Sequence, residues 1–436
     1  MAATITLFEH ETAPFAWSDR DLAAIARLNR AVGAEVLGSA VQGRQRLLQA
    51  HQMVGVVRLG SRTLQILPKI YRAGAEEQQR AREATRNLLY LLTCTGEVPV
   101  HEYELASLLQ RDLDWFEILT YLFASHLRGE WRCGAYRGYQ VVEAELPVLK
   151  GKWRIAEQLR RPDHRQHFVV AYDEFSADNH LNRVFRFVVE RLWFLSRDAQ
   201  NRQLLGELRE LMDEVTLLPC VTVAEAAPAL LTRLNRRYEP LLNLARLFLA
   251  GGALQLTAGE LNTFAFVFDM NQLFEAFLVG FIRRHRQEIL PASLQDCDLL
   301  PQSHGAALYL ARTGTRPVFH LKPDLAFCKG HDFPLLLDAK YKRLRPTDIK
   351  LGISQDDFYQ MHAYARRYNC PRVALIYPQT VELGESLYRC FALEGCNHLI
   401  AAATVDVRTD LWRKPEQERL VEELRQIIGG EHGLWQ

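Results

Sequence analysis

Three consecutive leucines, Leu335, Leu336 and Leu337, followed at once by Asp338-Ala339-Lys340, constrain this chain more than any other stretch. Side chains on a strand alternate between faces, so an unbroken apolar run is apolar on both and belongs inside a sheet covered on two sides. The same alternation aims Asp338 and Lys340 one way and Ala339 into the layer behind. An acid and a lysine at the end of such a strand are costly unless they are paired or hold a metal ion.

The flanking sequence predicts the sheet around that strand. Apolar runs at 306–311, 317–328, 333–341, 371–377 and 398–407 read as strands. A helix at 264–286 precedes them, and a helix at 355–368 separates the last two runs from the first three. Helix, three strands, helix, strand, strand is the order of an α/β sandwich with a mixed sheet. Upstream, 21–32 reads as a helix, 53–59 and 63–67 as a hairpin closed by Gly60-Ser61-Arg62, and 76–92 as a helix. The middle reads as helical at 105–127, 178–197 (with Asp178 as N-cap), 201–214 and 228–250, and as extended at 139–149. Gly251-Gly252 is a natural break. The expected fold class is therefore multi-domain α/β: an N-terminal mixed α+β region at 1–100, a mainly helical middle at 101–252 and a C-terminal α/β domain at 253–436.

Composition narrows the class by exclusion. Fifty-three basic residues against fifty-two acidic ones give no global attraction to nucleic acid, so any such surface is local. The eight cysteines stand singly with no C-x-x-C pair, which argues against a zinc ribbon and for reduced thiols in a cytoplasmic protein. Residues 1–20 carry acids and no apolar core, so no signal peptide is read there. No run reaches the roughly 20 apolar residues of a membrane span, and no membrane role is expected.

The candidate chemistry centres on the strand end. Asp324 follows Pro323 at the head of a strand, and Asp338 and Lys340 come fourteen and sixteen positions later. Cutting a phosphodiester needs an activated water and a stabilised leaving oxygen, and Mg²⁺ held by a few hard oxygen ligands supplies both. Asp324, Asp338 and the Ala339 backbone carbonyl would hold Mg²⁺, with Mn²⁺ as a substitute, and Lys340 would position the water. Glu275, on the leading helix, is a further metal-proximal acid or a solvated flank. Gln360 sits on a polar stripe of the trailing helix with Asp356 and Tyr364, while Asp356 and Asp357 also suit a helix N-terminus. Lys342, Arg343 and Arg345 form a basic cluster beside the expected position of the scissile phosphate, for DNA contact or for a solvated loop.

Several ordered motifs together resemble a known family. The stretches FDMNQLFEAF (268–277), KPDLAF (322–327), LLDAKYK (336–342) and DDFYQMHAYA (356–365) resemble McrC, the nuclease subunit of the McrBC and LlaJI-like modification-dependent restriction systems. KGKWRIAEQL (150–159), AYDEFSADNHLNRVFRFV (171–188) and RLGSRTLQILPKI (58–70) are similar to further segments of that family. The resemblance implies a PD-(D/E)xK restriction-endonuclease-like C-terminal domain, with Asp324, Asp338 and Lys340 as the catalytic set, Glu275 as the leading-helix acid and Gln360 as the trailing-helix glutamine. It implies an AAA+ GTPase partner of the McrB kind, docked by the N-terminal region and stimulated by it, and double-stranded, base-modified DNA as substrate. Self-association through the nuclease domain is also expected. A nucleotide site is not: in the nearest approach to a Walker A loop, GAEVLGSA at 33–40, Ser39 and Ala40 stand where lysine and a hydroxyl residue are needed. Tyr172, Asp173, Glu174, Asn182 and Arg183 read as a structural hydrogen-bond network. A non-catalytic adaptor of a partner NTPase and a stand-alone DNA repair nuclease are the competing readings.

Overall fold

The computed structural model describes residues 4–71, 77–95, 108, 113–160, 166–250, 263–302, 308–430 and 435. The chain forms two compact units, one of residues 1–112 with 256–436 and one of residues 113–255. The two ends of the sequence, expected as separate regions, thus share one unit. Gly251-Gly252 and most of 105–112, read as a break and as helix, lie outside the described residues.

The first unit opens with β1 (Thr4–Phe8), β2 (Thr12–Pro14), α1 (Asp19–Val32), β3 (Leu37–Gln42), β4 (Gln45–Ala50), β5 (Met53–Leu59), β6 (Arg62–Leu67) and α2 (Glu77–Cys94). Ser18 and Asp21 form a capping box at the start of α1, and Gly33 ends it in the left-handed conformation at φ 75°. The expected hairpin is present: β5 and β6 pair antiparallel across Gly60-Ser61, with β1 parallel to β6.

The second unit holds α3 (Trp115–Arg132), β7 (Gly138–Leu146), β8 (Lys152–Trp153), α4 (Ile155–Gln158), β9 (Phe168–Ser176), α5 (His180–Leu195), α6 (Ala199–Leu211) and α7 (Glu239–Ala250). Its core stacks aromatic side chains, with Phe123 edge-on to both Phe185 and Phe248. Buried Glu117 accepts from Ser196 Oγ at 2.7 Å, Arg197 N at 2.8 Å and Asn201 Nδ2 at 2.9 Å, which satisfies a charge that would otherwise be costly. The α5 cap is Asn179, not Asp178; Asp178 is instead gripped by Arg183 at 2.7 and 2.8 Å. Residues 228–238, expected to be helical, form short 3₁₀ turns before α7 begins at Glu239. Of the signature 171–188, Asn182 and Arg183 bond internally, but Asp173 and Glu174 are exposed on β9 and hold nothing together.

The first unit resumes with β10 (Thr263–Asp269), α8 (Met270–Arg284), α9 (Arg286–Ile289), β11 (Asp298–Pro301), β12 (Leu308–Thr313), β13 (Arg316–Leu321), β14 (Leu325–Lys329), β15 (Asp332–Ala339), α10 (Gln355–Arg367), β16 (Arg372–Pro378), β17 (Tyr388–Ala392), β18 (Leu399–Val405) and α11 (Lys414–Gly429). The helix expected from 264 begins only at Met270. Its first part, TFAFVFD, is aromatic and β-branched and makes β10, antiparallel to β5 in the order β1-β6-β5-β10. The two strands approach so closely that a Cβ on Gly55 would lie 2.2 Å from Phe266 O. Asp269 ends β10 and caps α8, accepting from Asn271 N at 2.8 Å. The single strand expected at 317–328 is two, broken at Lys322-Pro323-Asp324.

The main sheet has the order β11-β14-β15-β16-β18-β17, with β15, β16 and β18 parallel and the others antiparallel to their neighbours. It is mixed, and its central strands are buried on both faces, as the leucine run requires. Leu336, Val373 and Leu375 pack under Met361 and Tyr364 of α10, while Leu337 and Ile376 line the α8 side with Leu278 and Ile282. No helix among the described residues is long and apolar enough to cross a membrane.

Candidate functional site

Asp324 and Asp338 meet because β14 enters the sheet where β15 leaves it: Leu325 pairs with Leu337, so the residue before one strand lies beside the last residues of the other. Asp324 Oδ2 accepts the Ala339 N–H at 2.7 Å. Asp338, 1% exposed, has its Oδ2 at 2.5 Å from Lys340 Nζ. The Lys340 backbone continues the parallel pairing one residue beyond the strand, donating to Ile376 O at 2.8 Å, which fixes the lysine at the sheet end. Lys340 Nζ donates to Gln360 Oε1 at 3.1 Å, and Gln360 Nε2 donates to the Tyr364 hydroxyl at 2.8 Å. The two α10 residues stand one turn apart, so one helical face positions the lysine.

Glu275 approaches from the other side. It is half-buried on α8, its Oε1 accepting from Gln302 Nε2 at 2.9 Å, and Gln302 N donates to Asp324 O at 3.1 Å. Glu275, Asp324 and Ala339 line a cavity of about 10 Å³, roughly the space of one water. Gly280 seats α8 there, since a Cβ at this position would lie 2.1 Å from Cys94 O at the end of α2. The acids therefore wrap the sheet end, Glu275 and Asp324 towards α8 and Asp338 towards α10. Among the described residues, no three His, Cys, Asp or Glu side chains already converge as one metal-binding group.

The electrostatics are those of too much negative charge in too little water. Burial, then the neighbouring Asp338 and Glu275 carboxylates, push Asp324 far above the usual carboxylate range. Burial also raises Asp338, against the opposing pull of Lys340. Burial works to lower Lys340, but Asp338 and Asp324 outweigh it and hold the ammonium above its ordinary value. Asp324 and Asp338 share Lys340 while Glu275 adds negative charge beside them, and a divalent cation is the simplest group that would let the remaining acids ionise together.

The basic cluster is largely engaged within the protein. Lys342 Nζ lies 2.6 Å from Asp357 Oδ2, and Arg343 donates to Glu382 at 3.2 Å and to Lys69 O at 2.8 Å. Asp357 is buried, also accepts from Ser354 Oγ, and is held below the ordinary range despite burial by its bonds to Lys342 and Ser354. Asp356 and Arg345 are exposed. Two residues near the site carried no sequence signal: Gln302, which ties Glu275 to the Asp324 backbone, and Tyr377, whose buried hydroxyl finds no partner among the described residues and faces Asp357 and Asp338.

A family model described as McrBC 5-methylcytosine restriction system component matches residues 48–378, a span that contains every motif from RLGSRTLQILPKI onward. Among solved structures, the chain is similar to one from Thermococcus gammatolerans described as a refined half-complex from a tetradecameric assembly of McrB AAA+ hexamers with bound McrC. Identity is 24% and the TM-score 0.67, over 98% of this chain and 100% of that one, a likeness of fold. A second, the cryo-EM structure of the Thermococcus gammatolerans McrBC complex, is 26% identical with a TM-score of 0.49, over 65% of this chain and 88% of that one. No curated protein matches. With the family model spanning most of its length, the chain belongs to the McrBC 5-methylcytosine restriction system component family.

Proposed function

We propose that this chain is the McrC-type nuclease subunit of a modification-dependent restriction system, cutting DNA at a Mg²⁺-dependent PD-(D/E)xK site when an AAA+ GTPase partner activates it. The observation that carries this reading is that Asp324 and Asp338 close on Lys340 at one sheet end while Glu275 approaches them from the α8 side, with more acid than the lysine can balance. Hard carboxylate oxygens fit Mg²⁺, and Mn²⁺ would substitute. Asp324, Asp338 and the Ala339 carbonyl would hold the ion, with Glu275 alongside; when bound it supplies charge for the pentavalent phosphate and the leaving 3′ oxygen.

The chain's own residues do the rest. Lys340 keeps its proton, so it works as a donor that orients the attacking water and a phosphate oxygen, not as the base. Gln360 and Tyr364 hold its Nζ in place. Buried Asp338 gives that Nζ a fixed electrostatic partner before substrate arrives, as preorganised catalysis requires. The assembly of McrB hexamers with bound McrC supports a ring partner for this chain, and the family description supports base-modified DNA as substrate.

The test is Mg²⁺-dependent cleavage of methylated duplex by wild type and Asp338→Ala, with the partner present and its GTP hydrolysis followed in parallel. Loss of cutting with hydrolysis still stimulated is expected. Undiminished cutting by the variant would remove the assignment. A wild-type chain that stimulates hydrolysis but never cuts would make it an adaptor.

A further inference from the structure

With Lys342 and Arg343 engaged internally, only Arg345 of the basic cluster is left for phosphate, and further cations lie on another element. The β12–β13 hairpin supplies them. Among the described residues these strands pair only with each other, apart from the six-stranded sheet, and they turn through Gly314 at φ 60°. The base is anchored: Leu321 is in the core, Tyr309 stacks on His320 at 4.9 Å, and Arg367 Nε donates to Tyr309 O at 2.9 Å. Beyond it, every residue from Leu310 to Pro317 is exposed. No acidic residue occurs between Asp298 and Asp324, while Arg312, Arg316 and Lys322 do. Neither Arg312 nor Arg316 makes an ion pair among the described residues.

Two features give the hairpin more than charge. Leu310 and Phe319 lie between the Tyr309–His320 and Ala311–Val318 pairs, exposed by 52% and 72%, two apolar side chains in open solvent on the hairpin that carries the arginines. Phe319 adopts φ 58°, a left-handed conformation that a bulky side chain rarely takes. The base also joins the site directly. Only Lys322 and Pro323 separate β13 from Asp324, and the Lys322 backbone bonds to the Tyr364 hydroxyl that receives Gln360, the residue holding Lys340.

We propose that the β12–β13 hairpin is a DNA arm, a two-stranded ribbon that enters a groove of the duplex flanking the scissile phosphate, with Arg312 and Arg316 on phosphates and Leu310 and Phe319 against base or sugar edges. A ribbon of this width fits the roughly 12 Å major groove, and the four residues of each strand beyond the anchored base reach about 13 Å. The inference rests on DNA being the substrate, but binding and cleavage separate the two claims.

The experiment measures binding of the full-length chain to a fluorescent duplex without divalent metal, over a range of salt. Arg312→Ala/Arg316→Ala is expected to weaken binding about tenfold or more and to flatten the log–log salt slope by about 2, one per lost phosphate contact. Phe319→Ala is expected to weaken binding several-fold with the slope unchanged, since it carries no charge. Affinity and slope equal to wild type in the double variant overturn the proposal, as does a wild-type chain that binds no duplex. If the double variant instead loses stimulation of the partner's GTP hydrolysis while binding DNA normally, the arm serves a protein and the DNA assignment is wrong. Asp338→Ala is the separating control: full binding with undiminished cleavage sinks the nuclease reading and leaves the arm standing.

Discussion

Two buried clusters of carboxylate, lysine and tyrosine lie on either side of the same short stretch, Lys340-Tyr341-Lys342, and only one of them has the makings of a site. Behind Tyr341, Glu9 is fully buried, and its Oε2 accepts the Lys69 N–H at 2.9 Å and the Tyr341 hydroxyl at 3.0 Å. The Lys69 ammonium sits over the Tyr341 ring at 4.5 Å. Asp269 beside this pair is offset by Arg343 and Lys342, so the acids do not outnumber the cations, and Glu9 and Lys69 are both shut away from solvent. At Lys340 the parts are similar, but Asp324 and Asp338 share one lysine with Glu275 close by, a water-sized cavity adjoins Asp324 and Glu275, and the lysine is partly open to solvent. A buried acid–lysine contact by itself is structure; surplus charge with access is what points to chemistry.

Removing one acid from each cluster separates the two most sharply. Asp338→Ala should lower Mg²⁺-dependent cleavage by on the order of 10³-fold, about 4 kcal/mol of barrier. Glu9→Gln, which keeps the shape and the acceptor oxygen, should leave cleavage within a few-fold. Equal losses in the two variants would erase the distinction between them.

Stability against pH gives the next largest contrast. Burial raises Glu9 to about 7 from an ordinary value of 4.5. A carboxyl with a raised folded pKa contributes stability that is fully present below about pH 4.5 and is lost as pH rises to about 7, here roughly 3 kcal/mol. Glu9→Gln should therefore flatten the fall in stability between those limits, read by urea denaturation at stepped pH. An unchanged profile would show that Glu9 ionises as freely in the folded chain as in the unfolded one.

Metal dependence tests the surplus charge itself. Saturating Mg²⁺ should stabilise wild type by about 2–3 kcal/mol at a hundredfold excess over its dissociation constant, and Asp338→Ala much less. A melting temperature that rises equally in both proteins would place the ion elsewhere. The smallest effect is expected at Gln360→Ala, about tenfold in cleavage, because it frees Lys340 Nζ without removing its charge. No change there would reduce Gln360 to a helix-face residue.

The sequence made the strand end legible because its information is local. A leucine run followed by Asp338-Ala339-Lys340 aims acid and lysine alike through the two-residue repeat of a strand, whatever surrounds it. Asp324 was readable for a related reason: it heads the adjoining strand, and two antiparallel neighbours bring head and tail together. The Glu275 helix was read too long, because the apolar spacing of 264–269 suits a strand as well as a helix and only pairing with β5 decided between them.

What the fold alone decided concerns partners distant in the chain. No pattern announces that Glu9 and Lys69 close behind Tyr341, that Gln302 reaches Glu275, or that Asp357 and Glu382 engage two of the three cations expected to meet DNA. Such pairings depend on which strands become neighbours and in what register, a cooperative outcome of burying apolar surface across the whole unit. The chain's own order thus determined the kind of chemistry available at one strand end, and tertiary packing determined which charges remained free to meet a substrate.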